Sequence, residues 1–136
     1  MSFQNSNYGN KSTIRRWDKG FEFFTGDKLN IKWVSEYAKD FSQLMADNRL
    51  TGTQLRGFYN EFLRIRDITA PQTERVILIK LLAAKMSYRK TAKSTDIPDD
   101  MLTFISELVE QIGESETKFK DACYVMEAIV GFFPKK

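Results

Sequence analysis

The amino-acid sequence lacks the residue types that most catalytic sites require. It contains no histidine, so it has neither the commonest general base nor the commonest metal ligand. Cys123 is the single cysteine, which excludes a Cys–His nucleophile pair and a zinc site built from cysteine and histidine. The glycine-containing stretches 20–26 and 50–57 do not match the phosphate-binding P-loop pattern. Carboxylates are the side chains that remain for catalysis.

The acidic residues fall into two groups, each with a structural interpretation. The first group is Asp96, Asp99 and Asp100 beside Pro98, and the second is Glu107, Glu110 and Glu114. The first group could hold Mg²⁺, but acids at the start of a helix are favoured by the helix dipole, so a helix start is the expectation. The second group fits a solvated helix face. Cys123 falls within an apolar stripe, where a buried, inert thiol is expected. We therefore predict a non-enzymatic protein without cofactor or metal, with a carboxylate-only nuclease as the catalytic alternative.

Basic residues cluster where acidic ones do not. Residues 49–93 contain ten basic and three acidic side chains, whereas residues 94–136 contain four basic and nine acidic ones. At 100° per residue, Arg56, Asn60 and Arg64 form a positive ridge on one side of a helix. Arg49 extends this ridge if the helix or its lead-in turn reaches that far. Such asymmetry indicates a polyanionic partner or head-to-tail self-association.

A second basic row follows on the next helix. Lys85, Arg89 and Lys93 are spaced i, i+4, i+8 with Lys90 beside them, and no acid is interleaved to relieve their repulsion. This row alone fits either a solvated helix end or a bound polyanion, and the arginine ridge favours the latter because arginine grips phosphate in a bidentate manner. The neighbouring Tyr88 is expected in the core. We predict binding to the nucleic-acid backbone with little base specificity and strong salt dependence. The predicted nucleic-acid-binding residues are Arg49, Arg56, Arg64, Lys85, Arg89, Lys90 and Lys93.

Apolar residues recur with a helical period from residue 31 onwards, and glycine and proline are scarce. We predict an all-α protein, a compact bundle of about five helices over residues 31–136, a count that includes part of the preceding segment. Thr53 is the expected N-cap of the helix that ends near residue 68. The helix at 71–93 is apolar nearly all round and is expected at the centre of the bundle. Residues 1–30 comprise a polar tail, 1–12, and an aromatic-containing lead-in, 13–30.

The expected location is the cytoplasm, with no membrane association. No apolar run approaches the ~20 residues that span a bilayer. Residues 1–10 lack the apolar region of a signal peptide. A single cysteine agrees with a reducing compartment.

Three stretches resemble one known family. Residues 51–59 read Thr-Gly-Thr-Gln-Leu-Arg-Gly-Phe-Tyr, which is similar to the Thr-x-x-Gln-Leu-Arg-x-Phe-Tyr signature of the small subunit of Csm-type (type III-A) CRISPR interference complexes. Residues 81–89 resemble the Lys-x-x-Tyr helix of that family, and residues 119–133 resemble its C-terminal helix. The resemblance covers about residues 31–136.

The resemblance implies properties that the spacing of residues does not. Members of the family are small helical proteins of which a few copies stack into a short inner filament along the guide RNA and the target single-stranded RNA. They contact the backbone subunits and the large subunit of the complex, and they carry no active site. For the isolated chain, the resemblance leaves both a monomer and a dimer open. Arg56 matches the motif arginine, and Lys85 and Arg89 match the basic helix, so the resemblance implies RNA binding at these three positions.

A protein-interaction module without direct nucleic-acid binding is the alternative function. The acidic last third of one copy could meet the basic middle of another, and the aromatic segment 13–30 could dock on a partner.

Overall fold

The computed structural model describes residues 15–92 and 97–135, and the polar tail, Lys93 and Asp96 lie outside these ranges. The elements are β1 (Phe24–Thr25), β2 (Lys28–Leu29), a 3-10 helix (Ile31–Val34), α1 (Glu36–Asp47), α2 (Gly52–Asp67), α3 (Gln72–Ala92), α4 (Asp99–Ile112) and α5 (Glu116–Phe132). The prediction of an all-α bundle of five helices is confirmed. Within the described ranges, no helix is both long and apolar enough to cross a bilayer.

The central helix of the bundle is α5, which packs against α1, α2 and α4. Its buried side chains are Phe119, Ala122, Cys123, Val125, Met126 and Ile129. The expectation that α3 would be central is wrong. This helix packs mainly on α4, with a smaller contact to α2, and it buries only Ile79, Leu82 and Met86. Ile77, Leu81 and Tyr88 face solvent. A helix that is apolar nearly all round needs partners on every side, and within the described residues α3 has none on its outer side.

The aromatic lead-in packs on the helices without becoming an α-helix. Instead, Phe24 pairs with Leu29 in a two-residue antiparallel hairpin. Phe23 and Trp33 are fully buried and lie with Phe41 and Phe104 in one cluster of rings. Such aromatic pairs are each worth about 0.5–1.5 kcal/mol beyond the area they bury.

Two backbone amides of the lead-in donate hydrogen bonds to side chains of α4. The amide of Trp17 donates to Asp100 Oδ2 at 2.8 Å, and the amide of Phe23 donates to Gln111 Oε1 at 2.9 Å. Asp99 and Asp100 lie in the first turn of α4, the helix start expected for them. Besides starting α4, Asp100 holds Trp17 of the lead-in. Because the two residues are far apart in the chain, no local sequence pattern predicts this contact.

Side-chain caps set the beginnings of two helices. Thr51, not Thr53, is the N-cap of α2, and its hydroxyl accepts from the amide of Gln54 while Gln54 Oε1 accepts from the amide of Thr51. This reciprocal capping box satisfies two otherwise unpaired amides, so the helix begins at Gly52, where the sequence indicated a break. Ser115 caps α5 as its spacing predicts.

Candidate nucleic-acid interface

The positive ridge predicted on α2 faces solvent. Arg56, Asn60 and Arg64 are exposed, whereas Leu55 and Phe62 on the opposite side are buried against the bundle. The capping box orients this helix from its first turn, and its apolar stripe fixes its rotation. The two arginines therefore present their guanidinium groups on a surface that the fold leaves open.

Two basic residues of α3 lie against α2. Lys85 Nζ forms an ion pair with Glu61 Oε1 at 2.7 Å, and the guanidinium carbon of Arg89 lies 5.2 Å from the centre of the Phe58 ring. Both contacts place α3 cations against α2, Lys85 at Glu61 and Arg89 on the buried apolar side at Phe58. The sequence indicated no acid to relieve the charge of this row, but Glu61 of α2 supplies one because the two helices run side by side. Lys85 thus has a carboxylate partner, whereas Arg89 has none among the described residues.

The structure separates Lys90 from this group. Its Nζ donates to Thr103 Oγ1 of α4 at 2.9 Å, so the side chain lies on the α4 side of α3. One residue along a helix rotates the side chain by about 100°, which is enough to move Lys90 away from Arg89. Lys93, the last member of the predicted row, lies outside the described residues.

Arg49 occupies a position where glycine is usual. Its backbone has φ 79°, the left-handed conformation. Its amide donates to the Ala46 carbonyl at 3.1 Å, and the amide of Leu50 donates to the Met45 carbonyl at 2.9 Å. This pair of bonds is a Schellman motif that ends α1, with Arg49 in the left-handed position. After α4 the left-handed residue is a glycine, Gly113 (φ 58°). An arginine in this conformation costs about 1–2 kcal/mol.

Arg49 and Arg56 line one groove, which we call the corner groove. It lies between the α1–α2 connection and the end of α5, and its volume is about 870 Å³. Phe133 and Lys135 line it from the C-terminal side. The turn between the helices therefore brings Arg49 near Arg56, and its part in binding nucleic acid stays a prediction.

In the described ranges, the acidic residues after position 96 form no ion pairs with the basic residues of this surface. The ion pairs within residues 15–92 and 97–135 join Arg15 to Asp47, Lys19 to Asp40, Arg66 to Asp67, Lys85 to Glu61 and Lys118 to Asp27. None of them involves Arg49, Arg56, Arg64 or Arg89. Glu107 and Glu110 are exposed on α4, Glu114 is exposed in the turn that follows it, and none of the three pairs with these arginines. The interface thus contains four arginines without a carboxylate partner in the described part of the chain.

Cys123 offers no reactive thiol. The side chain is buried in α5, and burial raises its pKa to about 11. The expected burial of Cys123 is confirmed, and because the neutral thiol is a poor nucleophile, its low reactivity stays a prediction. Among the residues described, no three histidine, cysteine, aspartate or glutamate side chains lie close enough together to hold a metal ion.

The positions of three residues near these cations were not predicted from the sequence. Tyr88 was expected in the core, but it is 73% exposed beside Arg89 because α3 is peripheral. Phe133 and Lys135 line the corner groove, although they are distant from it in sequence. Only the end of an apolar stripe at Pro134 marks their position, and that pattern does not predict which surface they reach.

A small helical bundle with a basic, open face and no catalytic cluster in its described residues is typical of non-catalytic nucleic-acid-binding or assembly subunits. The comparison with protein families identifies which one: the family described as Csm2 Type III-A matches residues 28–134. The chain belongs to this family of small subunits of type III-A CRISPR effector complexes, as its sequence motifs predicted. The family is one of structural subunits, and it associates with the other subunits of the effector. Neither the comparison with curated proteins nor that with solved structures gave a match.

Proposed function

We propose that this protein binds the sugar-phosphate backbone of the guide RNA and the target RNA as a non-catalytic subunit of the effector. The observation that carries the proposal is the exposed set of Arg49, Arg56 and Arg64, which has no carboxylate partner in the described ranges. The half-buried Arg89 on α3 also has no such partner there and adds a fourth cation. Arg56 and Arg64 share one face of α2, where unpaired like charges repel each other, and a bound polyanion removes that cost. The biological role that follows is antiviral defence in the cytoplasm.

The chemistry of these side chains favours phosphate over base edges. Guanidinium groups pair with phosphate oxygens without regard to sequence, and contacts of this type position a nucleic acid rather than specify it. Lys85 shares its charge with Glu61 at 2.7 Å and contributes less. Lys90 lies on the α4 side and, together with Lys93, stays a prediction. No bond-breaking step is assigned to this chain.

We further propose that copies of the protein associate into a short filament and bridge the backbone and large subunits. The charge asymmetry supports this part of the proposal, because the exposed acids of α4 on one copy can face the basic side of α2 and α3 on the next. A contact between two different surfaces repeats without closing, which is the geometry of a filament.

A second candidate function, protein docking without direct RNA binding, is favoured by the outer face of α3. Ile77, Leu81, Ala84 and Tyr88 recur at steps of four, three and four residues, and the three large side chains are 58%, 50% and 73% exposed. An apolar stripe on a helix surface indicates an interface. Lys80 and Lys85 flank it, so its proposed occupant is an effector subunit whose apolar patch is edged by carboxylates. The two functions can coexist, since Arg49, Arg56 and Arg64 lie outside α3, the helix that carries the stripe.

Charge reversal tests the main proposal. With four phosphate contacts, the affinity of the full-length protein for single-stranded RNA should fall about 50-fold between 50 and 200 mM salt. The double variant Arg56→Glu, Arg89→Glu should lose at least two contacts, bind more weakly at every salt concentration, and show a fall of less than about 10-fold over the same range. Fluorescence anisotropy with a labelled oligonucleotide measures both values.

A matched control separates the interface from total charge. The variant Lys28→Glu, Lys39→Glu changes the net charge equally, and both residues are exposed on β2 and α1. It should retain most of the wild-type affinity. Equal losses in the two double variants would show that only net charge matters, and unchanged binding after reversal of Arg56 and Arg89 would place RNA on another surface. The absence of any wild-type binding at 50 mM salt would favour the docking function.

A further inference from the structure

The corner groove has an apolar floor as well as its arginines. Leu50 and Val130 form part of its wall, and Phe133 lies where the last turn of α5 meets the start of α2. A ring carbon of Phe133 is 3.9 Å from where a Cβ would stand on Gly52, so the ring packs over the first residue of α2. The side chain is only partly buried, and it therefore offers aromatic surface to the groove.

The rim of the groove carries an excess of positive charge. Arg49, Arg56 and Lys135 line it together with a single acid, Asp47. The carboxylate of Asp47 is already engaged by Arg15 at 3.2 Å and by Gln43 Nε2 at 2.9 Å. The three cations of the rim have no ion-pair partner in the described part of the chain.

A ligand that matches this groove has a flat apolar part joined to an anion. The volume of about 870 Å³ falls within the range of roughly 300–1,000 Å³ typical of small-ligand sites. An unpaired nucleotide has both features, because its base stacks on aromatic rings and its phosphate pairs with arginine. Arg56 belongs both to the ridge on α2 and to the groove, so a strand that follows the ridge passes the mouth of the groove.

We propose that the corner groove binds one unpaired nucleotide of the RNA strand, with its base against Phe133 and its phosphate held by Arg49 and Arg56. This inference rests on the proposed RNA-binding function and adds to it a contact to the base. The stacking surface is open to any base, so it confers a preference for unpaired nucleotides without sequence specificity.

The test compares two oligomers with the same number of phosphates, one of uridylate and one of abasic ribose-phosphate. The full-length protein should bind the uridylate oligomer roughly five-fold or more tightly, the effect of stacking one base. Phe133→Leu keeps an apolar side chain but removes the ring, so it should abolish this ratio and leave the affinity for the abasic oligomer unchanged. Phe133→Trp should keep the ratio, and thermal melts monitored by circular dichroism verify that each variant folds.

The neighbouring residue provides the matched control. Phe132 is 43% exposed and does not line the groove, so Phe132→Ala should retain the ratio. A wild-type ratio of one with intact RNA binding would overturn the nucleotide site and leave the backbone proposal standing. A ratio that persists in Phe133→Leu would place the base contact elsewhere, for example at Tyr88. If neither oligomer binds at 50 mM salt, both proposals fail. If the two oligomers bind equally well and an acidic, phenylalanine-containing peptide displaces them, the groove binds a protein segment and the nucleotide proposal is overturned.

Discussion

Replacing Arg49 with glycine should raise the stability of the protein and lower its affinity for RNA. The residue ends α1 in the left-handed conformation, with φ 79°. Relieving that conformation returns about 1–2 kcal/mol. The greater freedom of glycine in the unfolded chain costs roughly 0.5–1 kcal/mol. The free energy of unfolding should therefore rise by about 0.5–1 kcal/mol, which corresponds to an increase in Tm of about 2–4 °C for a domain of this size.

The same substitution removes one cation from both the ridge and the corner groove. The loss of a single phosphate contact reduces the salt-dependence slope by about 0.7 and weakens binding about five-fold at 100 mM salt. Thermal unfolding by circular dichroism measures the first effect, and fluorescence anisotropy with single-stranded RNA measures the second. A higher Tm together with a lower RNA affinity would show that the arginine side chain serves binding, although the backbone conformation at this position favours glycine.

Arg49→Lys serves as the control, because it keeps both the charge and the left-handed backbone. It should match the wild type in Tm and retain most of the RNA affinity. A lower Tm for Arg49→Gly would refute the assignment of backbone strain to this turn. Unchanged RNA binding in Arg49→Gly would refute the role of the side chain, and the left-handed arginine would then have no functional explanation.

Two other predictions concern α3 and the buried thiol. The double variant Leu81→Lys, Tyr88→Ser should reduce co-purification with co-expressed effector subunits about ten-fold or more by removing apolar contacts, whereas Tyr124→Ser on α5, at an equally exposed apolar position, should not. An unchanged yield of the complex would exclude the stripe as a docking surface. Burial raises the pKa of Cys123 to about 11, so the folded protein holds this proton at pH values where the unfolded chain has lost it. The free energy of unfolding should thus fall as pH rises from 9 to 11, and Cys123→Ala should fall less steeply in urea titrations. Identical pH profiles for the two proteins would contradict this linkage.

Local chemistry accounts for what could be predicted of the fold. The five helices follow from apolar periodicity, and the scarcity of glycine and proline within them leaves few alternatives. Ser115 and Gly113 mark helix ends because capping depends on neighbouring residues alone. The position of Thr51 was missed although its partner Gln54 is three residues away, since Thr53 competes with it for the same role.

The arrangement of α3 illustrates what periodicity cannot supply. A nearly continuous apolar surface indicates that other elements pack on a helix, but it does not show whether they belong to the same chain or to another protein. The expectation of a central position assumed that the cover comes from the same chain. In the structure α5 is central, and the outer face of α3 is open, with Ile77, Leu81 and Tyr88 exposed.

The sequence by itself determined the class of fold, the lack of histidine- and cysteine-based chemistry, the motif of the family and the positive ridge on α2. Each of these depends on residue types and on the rotation of one helix, which is fixed at about 100° per residue. Only the tertiary structure decided that Glu61 neutralises Lys85, that Lys90 lies on the α4 side, and that Phe133 and Arg49 share a groove. These are contacts between elements, and they depend on how the helices pack against each other, which the apolar pattern of a single helix does not determine.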